Sequence, residues 1–143
     1  MKRTVNNYMT PDPITIDFNE SLDAAIIVLE DRGLSHLLVT KKGKLVGVIS
    51  KTDVLDRLKA MMQRTGGEKY NSFVLKSLKV WEFMTKDPVA VEPEEELDRA
   101  VEILLEQKFH ILPVMDVDGT PVGVITAIDL LKGLYHQKEV TTS

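Results

Sequence analysis

Two short stretches of the chain place a carboxylate three residues after a hydroxyl. Ser50 precedes Asp53 and Thr126 precedes Asp129, and each pair directly follows the letters Gly-Val-Ile. A carboxylate can accept both hydroxyls of a ribose, and the free amides at a helix start favour phosphate. The same residues also match a helix N-cap with an acidic third position, which contributes about 1 kcal/mol relative to alanine. Ligand binding and capping therefore both stay open, and they are compatible.

These two stretches belong to an internal duplication that covers most of the chain. The letters Met-Thr-x-Asp-Pro begin at Met9 and recur at Met84, and a Glu-x-Leu-Asp segment follows in both halves. We therefore expect one repeat over residues 5–62 and a second over residues 80–136, with a linker at 63–79.

Within each repeat the hydrophobic periodicity changes in the same order. Pro13–Ile16 is short, β-branched and begins at proline, which is typical of an edge strand. Apolar residues at helical spacing come next, at Leu22, Ala25, Ile26 and Leu29. Two strands joined by a glycine turn and a second helix complete the repeat. The sequence predicts an α+β fold of tandem β-α-β-β-α repeats, packed about a pseudo-twofold axis because one repeat has little core of its own.

Composition excludes several classes of function. The net charge of -4 and 6% aromatic residues argue against nucleic acid as the main partner. The chain contains no cysteine, which excludes disulfides and thiolate metal sites. No segment approaches the roughly 18 apolar residues of a membrane helix, and the first residues do not resemble a signal peptide. We expect a soluble cytoplasmic protein that binds no membrane.

The linker is polar and contains Gly66-Gly67. It is interpreted as a solvated connection, followed by a short apolar patch at Phe73–Leu75. A sharper hypothesis is that Arg64 or Lys69 contacts the phosphates of a ligand.

The signatures Met-Thr-x-x-Pro before a strand and Gly-Val-Ile-Ser/Thr-x-x-Asp at the second helix resemble those of a pair of CBS domains, also called a Bateman module. The resemblance covers nearly the whole chain in the right order, with no catalytic domain attached. It implies a stand-alone regulatory module that binds an adenosyl ligand (AMP, ADP, ATP or S-adenosylmethionine type) in clefts between the repeats. It also implies disc-shaped homodimers.

The same resemblance assigns roles to the hydroxyl and carboxylate stretches. It implies that Asp53 binds the ribose, with Ser50 and Thr52 reaching sugar or phosphate, and that Asp129 and Thr126 do so in the second site. Ile128 stands where the family has a polar residue, which predicts a weaker grip on phosphate in that site.

The strand entry of each repeat is expected to wall the base pocket, since backbone amides and carbonyls read the adenine edge in the family. This implicates one set of residues in each repeat: Thr10, Ile14 and Thr15 in the first, and Thr85, Val89 and Ala90 in the second. For the side chains of Ile14 and Val89 themselves, a place in the core is favoured over a role in the pocket. Because backbone groups would recognise the base, the side chains do not indicate whether the base is adenine or guanine.

His36 and His110 lie just ahead of the second strand of their repeats. They are structural residues or, by the family resemblance, phosphate donors that reach the other repeat's site, His110 toward Asp53 and His36 toward Asp129. Ile111 occupies one family donor position, and arginine's bidentate fork is missing from both copies. A monophosphate or an uncharged adenosyl ligand therefore fits better than a polyphosphate.

No arrangement of nucleophile and base, no metal-ligand spacing and no phosphate-binding glycine loop followed by Lys-Ser/Thr occurs. We therefore expect no enzyme activity and no required cofactor. Two hypotheses follow: a sensor whose adenosyl ligand shifts a conformational population and signals to an unknown protein effector, or a structural dimerisation domain with degenerate clefts. Asp53 is the first expected site of occupation, because only that copy combines Thr52 with His110 as its cross-repeat partner.

Overall fold

The computed structural model describes residues 3–64, 72–107 and 110–142. The predicted phosphate contacts of the linker lie outside this description, since Lys69 and the side chain of Arg64 are not among the described groups. In chain order the regular elements are β1 (Thr10–Pro11), β2 (Thr15–Asp17), α1 (Leu22–Asp31), β3 (His36–Lys41), β4 (Lys44–Ser50), α2 (Lys51–Arg64), α3 (Ser72–Ser77), β5 (Thr85–Lys86), α4 (Leu97–Gln107), β6 (Ile111–Met115), β7 (Pro121–Thr126) and α5 (Ala127–Thr142).

The chain forms two compact units whose boundaries differ from those of the sequence repeats. One unit comprises Ile14–Pro88 and is called the Asp53 unit; the other comprises Met1–Pro13 with Val89–Ser143 and is called the Asp129 unit. Strand β1 of the first repeat therefore belongs to the Asp129 unit, and β5 of the second repeat belongs to the Asp53 unit.

A four-stranded sheet in the order β2-β3-β4-β5 forms the Asp53 unit. Its β2 strand runs parallel to β3 at the sheet edge, whereas β3, β4 and β5 are antiparallel. Lys42 and Gly43 connect β3 to β4 with φ values of 52° and 78°, the two positive values that a tight two-residue hairpin requires. The predicted stripe of α1 faces the core, with Leu22, Ala25 and Leu29 buried.

The α1 helix begins with a side-chain cap at Ser21. The Ser21 hydroxyl accepts a hydrogen bond from the Ala24 amide at 3.1 Å, which satisfies one of the free amides of the first turn. Further along the same unit, Leu75 of α3 and Leu78 pack against the core. Part of the predicted linker thus contributes apolar contacts to the core, through Leu75 and Leu78.

A three-stranded sheet in the order β1-β7-β6 forms the Asp129 unit. Because the repeats share one pattern, Val89–Val91 is the expected counterpart of the strand at Pro13–Ile16, but it forms only one parallel bridge, between Val91 and Val114. Val91 donates to the Pro113 carbonyl and accepts from the Met115 amide, both near 3 Å. A longer ladder would need Pro113 to donate to Val89, and proline has no N–H. Prediction of a full strand here is therefore wrong.

Strands β1 and β5 pack closely on glycines of the strands that they pair with. Thr10 pairs with Val124 and Thr85 with Val48, so each short strand passes beside Gly123 or Gly47. A Cβ at Gly47 would lie 2.5 Å from Met84 Sδ and 2.9 Å from the Thr85 carbonyl oxygen, distances that side chains do not tolerate. The glycine is thus required by the pairing.

Among the helices in the described part of the chain, none combines the length and apolar character needed to cross a bilayer.

We predict that Gly47→Ala lowers the free energy of unfolding by about 1–3 kcal/mol, because the added methyl overpacks the contact with β5. Chemical denaturation monitored by circular dichroism measures the change. Gly43→Asn is the control, since a side chain there meets no atom within 4 Å and asparagine tolerates positive φ. Equal stability of Gly47→Ala and the wild-type protein would contradict the packing described for β5.

Candidate functional site

In the Asp129 unit the hydroxyl and carboxylate form a reciprocal cap at the start of α5. Thr126 Oγ1 accepts from the Asp129 amide at 3.2 Å, and Asp129 Oδ2 accepts from the Thr126 amide at 3.0 Å. The Thr126 hydroxyl also donates its own proton to Asp129 Oδ2 at 3.1 Å. These bonds satisfy free donors of the helix start. The capping interpretation is therefore realised in this copy.

Thr10 brings a second hydroxyl to the same carboxylate. Its Oγ1 lies 3.2 Å from Asp129 Oδ1 and 3.5 Å from Oδ2, although the two residues are 119 positions apart. The pairing of β1 with β7 produces this contact, because it sets Thr10 opposite Val124, two residues before Thr126. The sequence repeat alone associates Thr10 with Asp53, whereas the structure brings it to Asp129.

In the Asp53 unit only half of the cap is formed. The Ser50 hydroxyl accepts from the Asp53 amide at 3.0 Å at the start of α2. Within residues 3–64, 72–107 and 110–142 no donor contacts the Asp53 carboxylate, and this side chain is exposed. The carboxylate therefore retains its full capacity to accept hydrogen bonds from outside.

Two further predicted hydroxyls of the Asp53 unit lie on the elements next to the start of α2, Thr52 on α2 itself and Thr85 on β5. Thr52 is exposed in the first turn of α2. Thr85 is exposed on β5 opposite Val48, the position that corresponds to Thr10 opposite Val124. Thr85 therefore occupies the counterpart place to Thr10, but its hydroxyl makes no contact with the carboxylate in the described structure.

The two predicted histidines lie in different units. His36 is the register partner of Ser50 and its Nδ1 lies 2.9 Å from the Ser35 hydroxyl. His110 is exposed and directly precedes Ile111, the register partner of Thr126. Each histidine thus neighbours the helix start of its own unit, and the predicted reach toward the other repeat's site stays a prediction.

The predicted base-pocket residues divide between the units in the same way. Ile14 is half-buried against the core of the Asp53 unit, and Thr15 is exposed on β2. Val89 is 41% exposed and Ala90 is half-buried in the Asp129 unit. Val89 is thus less buried than a core residue. Ile14 packs against the core, which is the role favoured for its side chain.

No group of three or more His, Asp or Glu side chains in the described ranges is arranged to hold a metal ion. Ile128 is 58% exposed at the first turn of α5, where an apolar side chain offers no hydrogen bond to an anion. The chemistry available at both helix starts is therefore acceptance of hydroxyl groups by a carboxylate, assisted by backbone amides.

Comparison with known proteins gives consistent matches along the chain. The family model of the CBS domain matches residues 5–60 and 80–136. The homoserine O-acetyltransferase of Methanohalobium evestigatum is 31% identical over 127 residues, which are 88% of this chain and 23% of that protein. The chain spans about a quarter of the length of the curated relatives that it first matches.

Solved structures match over almost the full chain. CBSX2 in complex with AMP is 30% identical with a TM-score of 0.75, covering 95% of this chain and 98% of that chain. MJ1225 of Methanocaldococcus jannaschii, described as a proposed archaeal homologue of γ-AMPK, is 25% identical with a TM-score of 0.78, covering 93% of this chain and 48% of that chain. With both repeats matched by the family model and a duplicated α+β fold, this chain belongs to the CBS-domain family as a tandem CBS pair.

Proposed function

We propose that this CBS pair is a regulatory module that binds an adenosyl ligand at the helix starts marked by Asp53 and Asp129. The observation that carries the proposal is the exposed Asp53 carboxylate, which makes no hydrogen bond within the described ranges at the first turn of α2. An exposed carboxylate in that place can accept both hydroxyls of a ribose. Ser50 meanwhile orders the helix start on which the carboxylate is carried.

AMP is the ligand that these features favour. The structurally similar CBSX2 was solved in complex with AMP, which supports the adenosyl class. The predicted donors nearest the helix starts are His36 and His110, without the bidentate fork that arginine offers a polyphosphate. A single phosphate could be bound by the backbone amides at the start of α2 together with a histidine, without an arginine.

Binding would act through a change in conformational population that a partner protein reads, because a ligand shifts an equilibrium by its differential affinity for two states. We place the protein in the cytoplasm, with an unidentified effector.

A homodimer is part of the same proposal. Large apolar side chains are exposed on the helices, with Leu131 at 62% and Ile128 at 58% on α5, and Leu55 at 56% on α2. Ile128 and Leu131 are three positions apart in the sequence and share one face of α5, and an exposed apolar helix face favours association. A structural dimerisation domain with empty sites is the second candidate function, and the engaged carboxylate of Asp129 favours it for that unit.

Calorimetric titration with AMP tests the proposed ligand. We predict saturable binding by the wild-type protein and an affinity at least tenfold weaker in Asp53→Asn, since the substitution removes a charged acceptor. Asp56→Asn is the matched control, because it removes an exposed carboxylate from the same helix. No heat from AMP with the wild-type protein would contradict the proposal, as would equal weakening by the control.

Light scattering tests the dimer. We predict twice the 16.1 kDa mass of one chain and a shift to the single-chain mass in Leu131→Glu, because a charge on the apolar surface opposes its burial. Lys132→Glu, an exposed neighbour on α5, is the control. A single-chain mass for the wild-type protein would rule out the dimer.

A further inference from the structure

The two carboxylates carry the same motif but differ in how much of their hydrogen-bonding capacity is used. A carboxylate offers about four acceptor positions. At Asp129, Oδ2 is held by the amide and hydroxyl of Thr126, and Oδ1 is held by the Thr10 hydroxyl. Little remains for two further hydroxyls from a ligand.

The Asp53 carboxylate has none of these internal bonds in the described structure. Ser50 uses its hydroxyl as an acceptor for the Asp53 amide, so that hydroxyl orders the helix start and leaves the carboxylate untouched. Thr85, the counterpart of Thr10, does not contact it either. A ligand therefore meets an unoccupied acceptor in one unit and an occupied one in the other.

We propose that the Thr10 hydroxyl acts as an internal competitor at Asp129, so that the adenosyl ligand fills the Asp53 site first and the Asp129 site at higher concentration. This inference rests on the proposed function and adds an order of filling to it. A ribose that approaches Asp129 must displace the hydroxyl of Thr10, which is exposed and can turn to water.

Filling of the two sites consequently has different effects on the protein. Occupation of the Asp53 site breaks no described side-chain bond of its carboxylate, whereas occupation of the Asp129 site releases Thr10 on β1. Thr10 lies three residues before Pro13, where the chain leaves the Asp129 unit. Binding at the Asp129 site, but not at the Asp53 site, therefore changes a contact close to the point where the chain passes from one unit to the other.

The test isolates the Asp129 site in an Asp53→Asn chain and measures its affinity for AMP by calorimetry. Adding Thr10→Val, which removes the hydroxyl and retains the side-chain shape, should tighten AMP binding roughly tenfold, because hydrogen bonds to charged groups are among the stronger ones. Adding Thr10→Ser, which keeps a hydroxyl, should give no tightening. Circular dichroism confirms that each variant is folded.

A matched experiment uses the other unit. In an Asp129→Asn chain, Thr85→Val should give no tightening, because the Thr85 hydroxyl does not engage Asp53. Unchanged or weaker affinity in Thr10→Val, or equal tightening by Thr10→Ser, would overturn the competitor role while leaving AMP binding intact. Absence of AMP binding by the wild-type protein would instead overturn the proposed function itself.

Discussion

The exchange of short strands between the two repeats is the constraint on which both candidate sites depend. Strand β1 pairs with β7 and β5 pairs with β4, each passing over a glycine that leaves no room for a Cβ. This pairing delivers the Thr10 hydroxyl to the Asp129 carboxylate and puts Thr85 in the corresponding place of the Asp53 unit. Each site therefore combines residues from both halves of the duplicated sequence.

The hydroxyl and carboxylate motif gives two different results in one chain. At Asp129 the carboxylate closes a reciprocal cap and accepts a third residue's hydroxyl, so helix stability accounts for its position. At Asp53 the cap uses only the Ser50 hydroxyl and the Asp53 amide. The two copies of the motif thus differ in which carboxylate oxygen atoms are engaged within the described structure.

Much of the fold was predictable because it depends on local signals. The stripe at Leu22, the hairpin at Gly43 and the caps at both second helices follow from residue type and spacing. The partner of β1 was not predictable, since the two strands that it could join share the letters Gly-Val-Ile. The prediction of a strand at Val89–Val91 was wrong because Pro113, on the neighbouring strand, has no N–H to donate. Site roles remain proposals for the same reason, as they depend on non-local contacts.

In the described structure the Asp53 carboxylate is open to a ligand, whereas the Asp129 carboxylate is engaged by Thr126 and Thr10. A titration of isotope-labelled protein with AMP, followed by amide NMR, tests whether this difference sets the order of filling. We expect the amides of Ser50 and Asp53 to shift at lower AMP concentration than those of Thr126 and Asp129. Simultaneous shifts with one midpoint, or earlier shifts at Asp129, would contradict it.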